Sequence, residues 1–206
     1  MKEGIPMTQK KVQNYFSVGN LTRIAILAAL ASILFLVEIP VVAFYKLDLS
    51  NLPVLLGTFS MGVIPGLVIL LLKSLIGLLH SSSVGVGELA DFIMGAALII
   101  PAGLIYHRNK TRKNAVIGMA AGTVCMVVIG ILTNKFILLP FYIQFYPFVQ
   151  SMDDILKMAK VGGIDTEAKL LLLITGPFNL LKGVVLSLVT ALIYKPLSPI
   201  LHAKLR

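Results

Sequence analysis

The sequence predicts an all-α polytopic membrane protein with six transmembrane helices and both termini on the cytoplasmic side. Three observations carry that prediction. The 206-residue chain is 57% hydrophobic and 13% charged, where ordinary soluble domains carry about 25% charge. Its mean hydropathy is +0.93. Its apolar runs approach the about 20 residues needed to cross a bilayer core, and Lys and Arg gather on one side of them.

Six segments follow in order: residues 21–39, 52–61, 63–79, 87–106, 115–141 and 169–194. Pro40 closes the first, because it has no N–H to donate. The second is too short to span without help. The sixth reads as interrupted at Gly176-Pro177, with Pro177 suited to the first turn of a new helix. The long connection 142–168 has room for an interfacial helix. Lys10, Lys11 and Arg23 precede the first run as in a signal peptide. The run continues past Ala29 and Ala31 to Ile39, however, so an uncleaved helix is expected. The chain reads as one transmembrane domain, 1–206, with residues 1–20 a cytoplasmic tail and no internal repeat.

Charge placement supports an even number of spans. Of the 18 Lys and Arg residues, eleven fall on one side: Lys2, Lys10, Lys11, Arg23, Arg108, Lys110, Arg112, Lys113, Lys195, Lys204 and Arg206. Four (Lys46, Lys157, Lys160 and Lys169) fall on the other. That is the positive-inside bias. The net charge of +9 does not point to nucleic acid, since the basic residues bracket apolar spans and form no soluble face. The single Cys125 excludes an intrachain disulfide and makes a cysteine metal site improbable. There is no G-x-x-x-x-G-K-[ST] phosphate loop, no H-E-x-x-H and no G-x-S-x-G elbow, and His80, His107 and His202 stand well apart. An enzyme is not expected. A membrane-embedded lipid-modifying enzyme would need paired carboxylates for a metal, and only Asp153 and Asp154 are adjacent, in an outer loop.

The polar residues inside the oil carry the functional reading. Asn179 and Lys182 are three apart in an apolar stretch and share a helix face. An ammonium at bilayer depth costs about 2.5–3.5 kcal/mol on insertion scales, so it needs a partner. That partner is either a ligand or a carboxylate. Asn134, in the outer half of the fifth segment, is either a ligand contact or a bridge between helices; Lys135 beside it can snorkel outward. Lys73 and Asp91 are each nine residues from the turn near Ser82, so they are expected at one depth as a buried structural ion pair. Glu88 either faces a pocket or caps a helix start. The first outer loop packs Phe44, Tyr45, Lys46 and Asp48 into a few residues. That mixture suits a planar heteroaromatic ligand, or it anchors the loop at headgroup level. Ala25 with Ala29, and Ala28 with Ser32, have the small-xxx-small spacing of close helix contacts.

Four pieces together resemble the riboflavin-specific substrate-binding (S) subunits of energy-coupling factor (ECF) vitamin transporters. They are the alanine-rich first helix at 25–32, the loop 44–53 (FYKLDLSNLP), Gly87-Glu88-Leu89-Ala90-Asp91-Phe92-Ile93, and Gly176-Pro177-Phe178-Asn179-Leu180-Leu181-Lys182-Gly183. The resemblance implies a six-helix subunit in a bacterial cell membrane with a site near the outer surface, capped by the first loop. Riboflavin is then the transported ligand, with FMN a second candidate, and no cofactor is implied. Loop-one residues (Phe44, Tyr45, Lys46, Asp48) and Glu88 would hold the flavin ring, and Asn134, Asn179 and Lys182 the ribityl hydroxyls. Ala25 and Ala29 would dock on a transmembrane coupling subunit driven by two ATPase subunits, and the loaded subunit would topple to release vitamin inside. Only one full A-x-x-x-A is present, position 32 being serine. The same scaffold with thiamine or biotin is the nearest alternative.

Overall fold

The computed structural model describes residues 17–42, 45–81, 83–159 and 161–202, with side chains through 194. Of the residues singled out above, Lys2, Lys10, Lys11, Phe44, Ser82, Lys160, Lys204 and Arg206 lie outside them.

Helix α1 (Val18–Leu36) buries Ile24, Leu27, Ala28 and Ala31, an i, i+3, i+4, i+7 stripe. It ends three residues before the sequence-based limit. Pro40 forces its predecessor toward extended backbone, and the chain turns into a hairpin of β1 (Ile39–Val42) and β2 (Tyr45–Leu47). The strands pair antiparallel, Ile39 with Leu47 and Pro40 with Lys46, with an irregularity before Val42–Tyr45. The all-α expectation therefore needs one correction: the first outer connection is a small sheet, folded back over the end of the bundle.

Helix α2 (Asn51–Met61) is buried at nine of its 11 positions. At about 1.5 Å per residue it is about 16 Å long. A short helix that is apolar all round belongs in a core, and α1, α3, α4 and α7 surround it. Gly62, at φ 115°, turns the chain directly into α3 (Val63–Gly77). A single 3₁₀ turn, Leu78–His80, extends α3. Helix α4 (Val86–Arg108) and α5 (Arg112–Phe145) form the most extensive helix pair. Thr111 starts α5 by accepting a hydrogen bond from Asn114 N at 3.2 Å.

A short amphipathic helix, α6 (Met152–Ala159), occupies the long connection and buries Ile155 and Ala159. Asp154 there accepts the Ser151 hydroxyl at 2.9 Å and the Gln150 and Ser151 amides at 3.1 Å. The Ser151 bond foremost holds its carboxyl below the ordinary range.

Helix α7 starts at Glu167–Leu170, passes through a π-helical turn at Leu171–Thr175 and continues as Gly176–His202. The expected interruption at Gly176-Pro177 is not a break. The wide turn just before Pro177 takes up the missing N–H, and the helix runs on. A second π turn, Asn134–Leu138, lies within α5. Among the described residues, five helices are long and apolar enough to cross a membrane: α1, α3 with its 3₁₀ turn, α4, α5 and α7. Helix α2 is not.

Gly118 and Gly122 of α5 lie against the backbone of Ala102 and Leu98 of α4; a Cβ on Gly118 would stand 2.7 Å from the Ala102 carbonyl oxygen. Backbone cannot yield as a side-chain tip can. Gly122→Ala is expected to lower stability by about 1–3 kcal/mol, measured by thermal unfolding in detergent. Gly162→Ala, with open space around it, is expected to leave the melting temperature unchanged.

Candidate functional site

A cavity of about 300 Å³ opens at the end of the bundle that carries the hairpin. That is the lower end of the range for sites that hold small organic ligands. Hairpin, α1, α4, α5, α6 and α7 all contribute to its wall.

Its floor is a chain of charges. Lys182 Nζ of α7 lies 2.8 Å from Asp48 Oδ2 and 3.2 Å from Asp91 Oδ1. Lys73 Nζ of α3 lies 2.5 Å from the other oxygen of Asp91. Lys73 also donates to Asn51 Oδ1 at 2.8 Å and Ser50 Oγ at 3.0 Å, so all three of its protons have acceptors. Its side chain is 0% exposed and does not reach the cavity. Asp48 in turn accepts the Ser50 amide at 2.9 Å and the Ser50 hydroxyl. Two ammonium groups therefore meet two carboxylates in one row.

This row revises the expectation for Lys182. Between ligand and carboxylate as its partner, the protein supplies carboxylates, and two of them. The reason is topological: Asp48 is 134 residues away in sequence and arrives only because the hairpin folds back over α7. Lys182 still lines the cavity, and its third N–H has no acceptor among the described residues. Lys73 meets Asp91 as the equal-depth argument predicts, but shares it with Lys182.

The hairpin is also fastened on its other side. Tyr45 is buried, and its hydroxyl donates to Asn134 Oδ1 at 3.0 Å and lies 2.5 Å from Thr175 Oγ1. Asn134 and Thr175 belong to the two π turns, which hold them at the same level in adjacent helices. Such turns are frequent at functional sites. Burial pushes the Tyr45 phenol well above its ordinary range, so it remains a neutral donor. Its ring rests on Phe178, centroids 5.2 Å apart.

Asn179 donates to the Thr175 carbonyl at 3.0 Å and lines the cavity one turn from Lys182. Glu88, in the first turn of α4, also lines the cavity. Lys46 sits at the mouth in an exposed pair with Glu38, 2.5 Å apart, of a kind worth about 0–1 kcal/mol. The structure thus brings Tyr45, Lys46, Asp48, Glu88, Asp91, Asn134, Asn179 and Lys182 to one cavity. Ala25 and Ala29 are not among them: both are exposed on α1, while Ala28 and Ser32 are buried. Lys135 is exposed beside the Phe136 ring. Sequence reasoning missed Thr175 and Ser50. Thr175 left a signal, a polar residue within an apolar run ahead of Gly176-Pro177.

A family model described as "ECF transporter, substrate-specific component" matches residues 19–194. The riboflavin transporter RibU of Staphylococcus aureus (strain TCH60) is 31% identical over 195 residues, covering 93% of this chain and 97% of that protein. The riboflavin transporter FmnP of Bacillus subtilis (strain 168) is 27% identical over 188 residues, covering 88% and 93%. A solved chain described under "Structure and mechanism of the S component of a bacterial ECF transporter" superposes with a TM-score of 0.68 at 27% identity, covering 96% of this chain and 100% of that one.

Removing one member of a buried charge pair costs about 3–5 kcal/mol, because its partner is left uncompensated. Lys73→Ala and Asp91→Asn are both expected to lower the melting temperature in detergent sharply. An Asp91→Asn protein as stable as the parent, beside an unfolded Lys73→Ala, would show that the pair does not hold the fold.

Proposed function

We propose that this chain, which belongs to the substrate-specific components of ECF transporters, is the riboflavin-binding subunit of an ECF importer in a bacterial cell membrane. It captures the vitamin from outside and delivers it inward with a transmembrane coupling subunit and two ATPase subunits. It is a transport protein, not an enzyme. The relatives named as riboflavin transporters support the choice of ligand. The observation that carries it in this chain is convergence: Asn134, Asn179 and Lys182 meet at one cavity with the rings of Tyr45, Tyr142 and Phe178. A polyol chain both donates and accepts, as amide and ammonium groups require, and a flat ring suits aromatic walls. Hydrogen bonds to charged groups contribute about 1.5–3 kcal/mol each. A few, with ring burial, reach the about −12 kcal/mol of nanomolar binding.

The whole chain acts as one unit with six crossings, the sixth being α2. Its short length is tolerable because neighbouring helices, not lipid, surround it. With six crossings the eleven grouped basic residues lie on the cytoplasmic side together with both termini, and the cavity opens outward. Below the cavity α2 fills the bundle, with Leu55 and Phe59 fully buried. That filled core favours toppling of the loaded subunit over a straight passage through it. The exposed Ala25 and Ala29 are the proposed docking face for the coupling subunit. No cofactor is assigned.

FMN is the second ligand to consider. The cavity is lined by four carboxylates (Glu38, Asp48, Glu88, Asp91) and two ammonium groups (Lys46, Lys182), so a phosphate is expected to weaken binding relative to riboflavin. Quenching of flavin fluorescence measures both ligands, and equal affinity would contradict this charge argument.

Purified protein is expected to be yellow with retained flavin. Colourless protein that fails to quench added riboflavin, but binds thiamine or biotin, would reassign the ligand. Lys182→Ala is expected to weaken riboflavin binding at least about tenfold while the protein still inserts. Parental affinity in that variant would remove Lys182 from the site.

A further inference from the structure

The turn that joins α4 to α5 carries four cations close together: Arg108, Lys110, Arg112 and Lys113. All four are exposed, and none has a carboxylate partner among the described residues. The described carboxylates gather at the other end of the bundle. Glu38, Asp48, Glu88 and Asp91 line the cavity. Asp153 and Asp154 belong to α6, which helps to wall the cavity, and Asp165 and Glu167 lie where the chain enters α7. Glu3 lies outside the described residues. The 23-residue α4 puts Arg108 about 25 Å from Asp91 along its axis. Exposed charges interact little beyond about 8–10 Å at physiological ionic strength, so the acidic end does not neutralise the basic one.

The four cations also repel one another. Two of them stand at the unfavourable end of a helix. Arg112 and Lys113 open α5, whose first turn has no acidic residue, where the helix dipole favours anions. The turn fixes them there: Thr111 accepts the Asn114 amide, and its own amide donates to the Asn109 carbonyl at 2.7 Å. Anions brought by a partner offset both costs. Exposed apolar residues set the depth. Leu104 of α4 and Val116 and Ile117 of α5 face outward on two helices long enough to cross a membrane, so they belong in hydrocarbon. The basic turn then lies at headgroup level, and residues 109–111, the only ones between the helices, are too few to reach far beyond it. A phosphodiester meets both cation types there, the guanidinium groups through paired hydrogen bonds. We propose that Arg108, Lys110, Arg112 and Lys113 form a binding surface for anionic phospholipid headgroups in the leaflet beside this turn. The inference rests on the membrane location of the chain and not on the ligand of the cavity.

The test counts lipids retained by the full chain in native mass spectrometry, from detergent micelles doped with phosphatidylglycerol or with phosphatidylcholine of the same acyl chains. The parent is expected to bind phosphatidylglycerol at least about tenfold more tightly, since each cation at a membrane surface contributes about fivefold. Lys110→Gln/Lys113→Gln is expected to cut that preference at least about fivefold. Lys157→Gln/Lys169→Gln removes the same net charge from exposed positions at the other end, and is expected to change the preference less than about twofold. A parent that retains both lipids alike overturns the proposal, as does a Lys110→Gln/Lys113→Gln protein that keeps the full preference. A preference abolished by inorganic phosphate, but not by sodium chloride of equal ionic strength, would reassign the turn to a soluble anion. Absence of any lipid preference, with loss of binding to the coupling and ATPase subunits in Lys110→Gln/Lys113→Gln, would reassign it to a protein partner. The readout is independent of riboflavin, so failure of either reading leaves the other standing.

Discussion

A row of four buried charges, Lys73, Asp91, Lys182 and Asp48, sets the rest of this structure. Each group comes from a different place: α3, α4, α7 and the end of the hairpin. In an apolar surrounding none can be left alone without a cost of several kcal/mol. The row therefore fixes the depth of three helices and the closed position of the hairpin together. It also divides the bundle. On one side lies the cavity, and on the other α2, whose first residue, Asn51, accepts from Lys73.

That division puts α2, with nine of its 11 residues buried, behind the charge row. The polar groups of the cavity are pre-positioned by their own partners. Asn134 and Asn179 each give an amide proton to a carbonyl four residues earlier in their own helices, and Lys182 is held between two carboxylates. A ligand then meets groups that need little ordering, which is where affinity is gained. The two π turns serve the same end. Each widens its helix by one residue, and Tyr45 ties both to the hairpin.

Much of this was legible in the sequence, for identifiable reasons. Long apolar runs end at charged or proline residues, so helix bounds were found within about four residues, except that α7 runs eight residues past Tyr194 to His202. Lys73 and Asp91 lie equally far from one turn, so their contact followed from counting. Asn179 and Lys182 share a face by spacing alone. The hairpin was not legible: its strands are three and four residues long, and Pro40 reads as a loop signal. The π turns were hidden as well, since nothing local distinguishes Asn134–Leu138 or Leu171–Thr175 from ordinary helix. Gly176-Pro177 read as a break because the compensating wide turn lies before it.

Composition, hydropathy and the placement of Lys and Arg determined by themselves that this is a helical membrane protein with polar groups held at depth. Those properties depend on local transfer energies, which each stretch of chain carries with it. Which charge meets which was decided by the tertiary structure. Lys182 finds Asp48 across 134 residues, and Glu88 is left facing the cavity, because folding the hairpin over the bundle assigns partners that no spacing records.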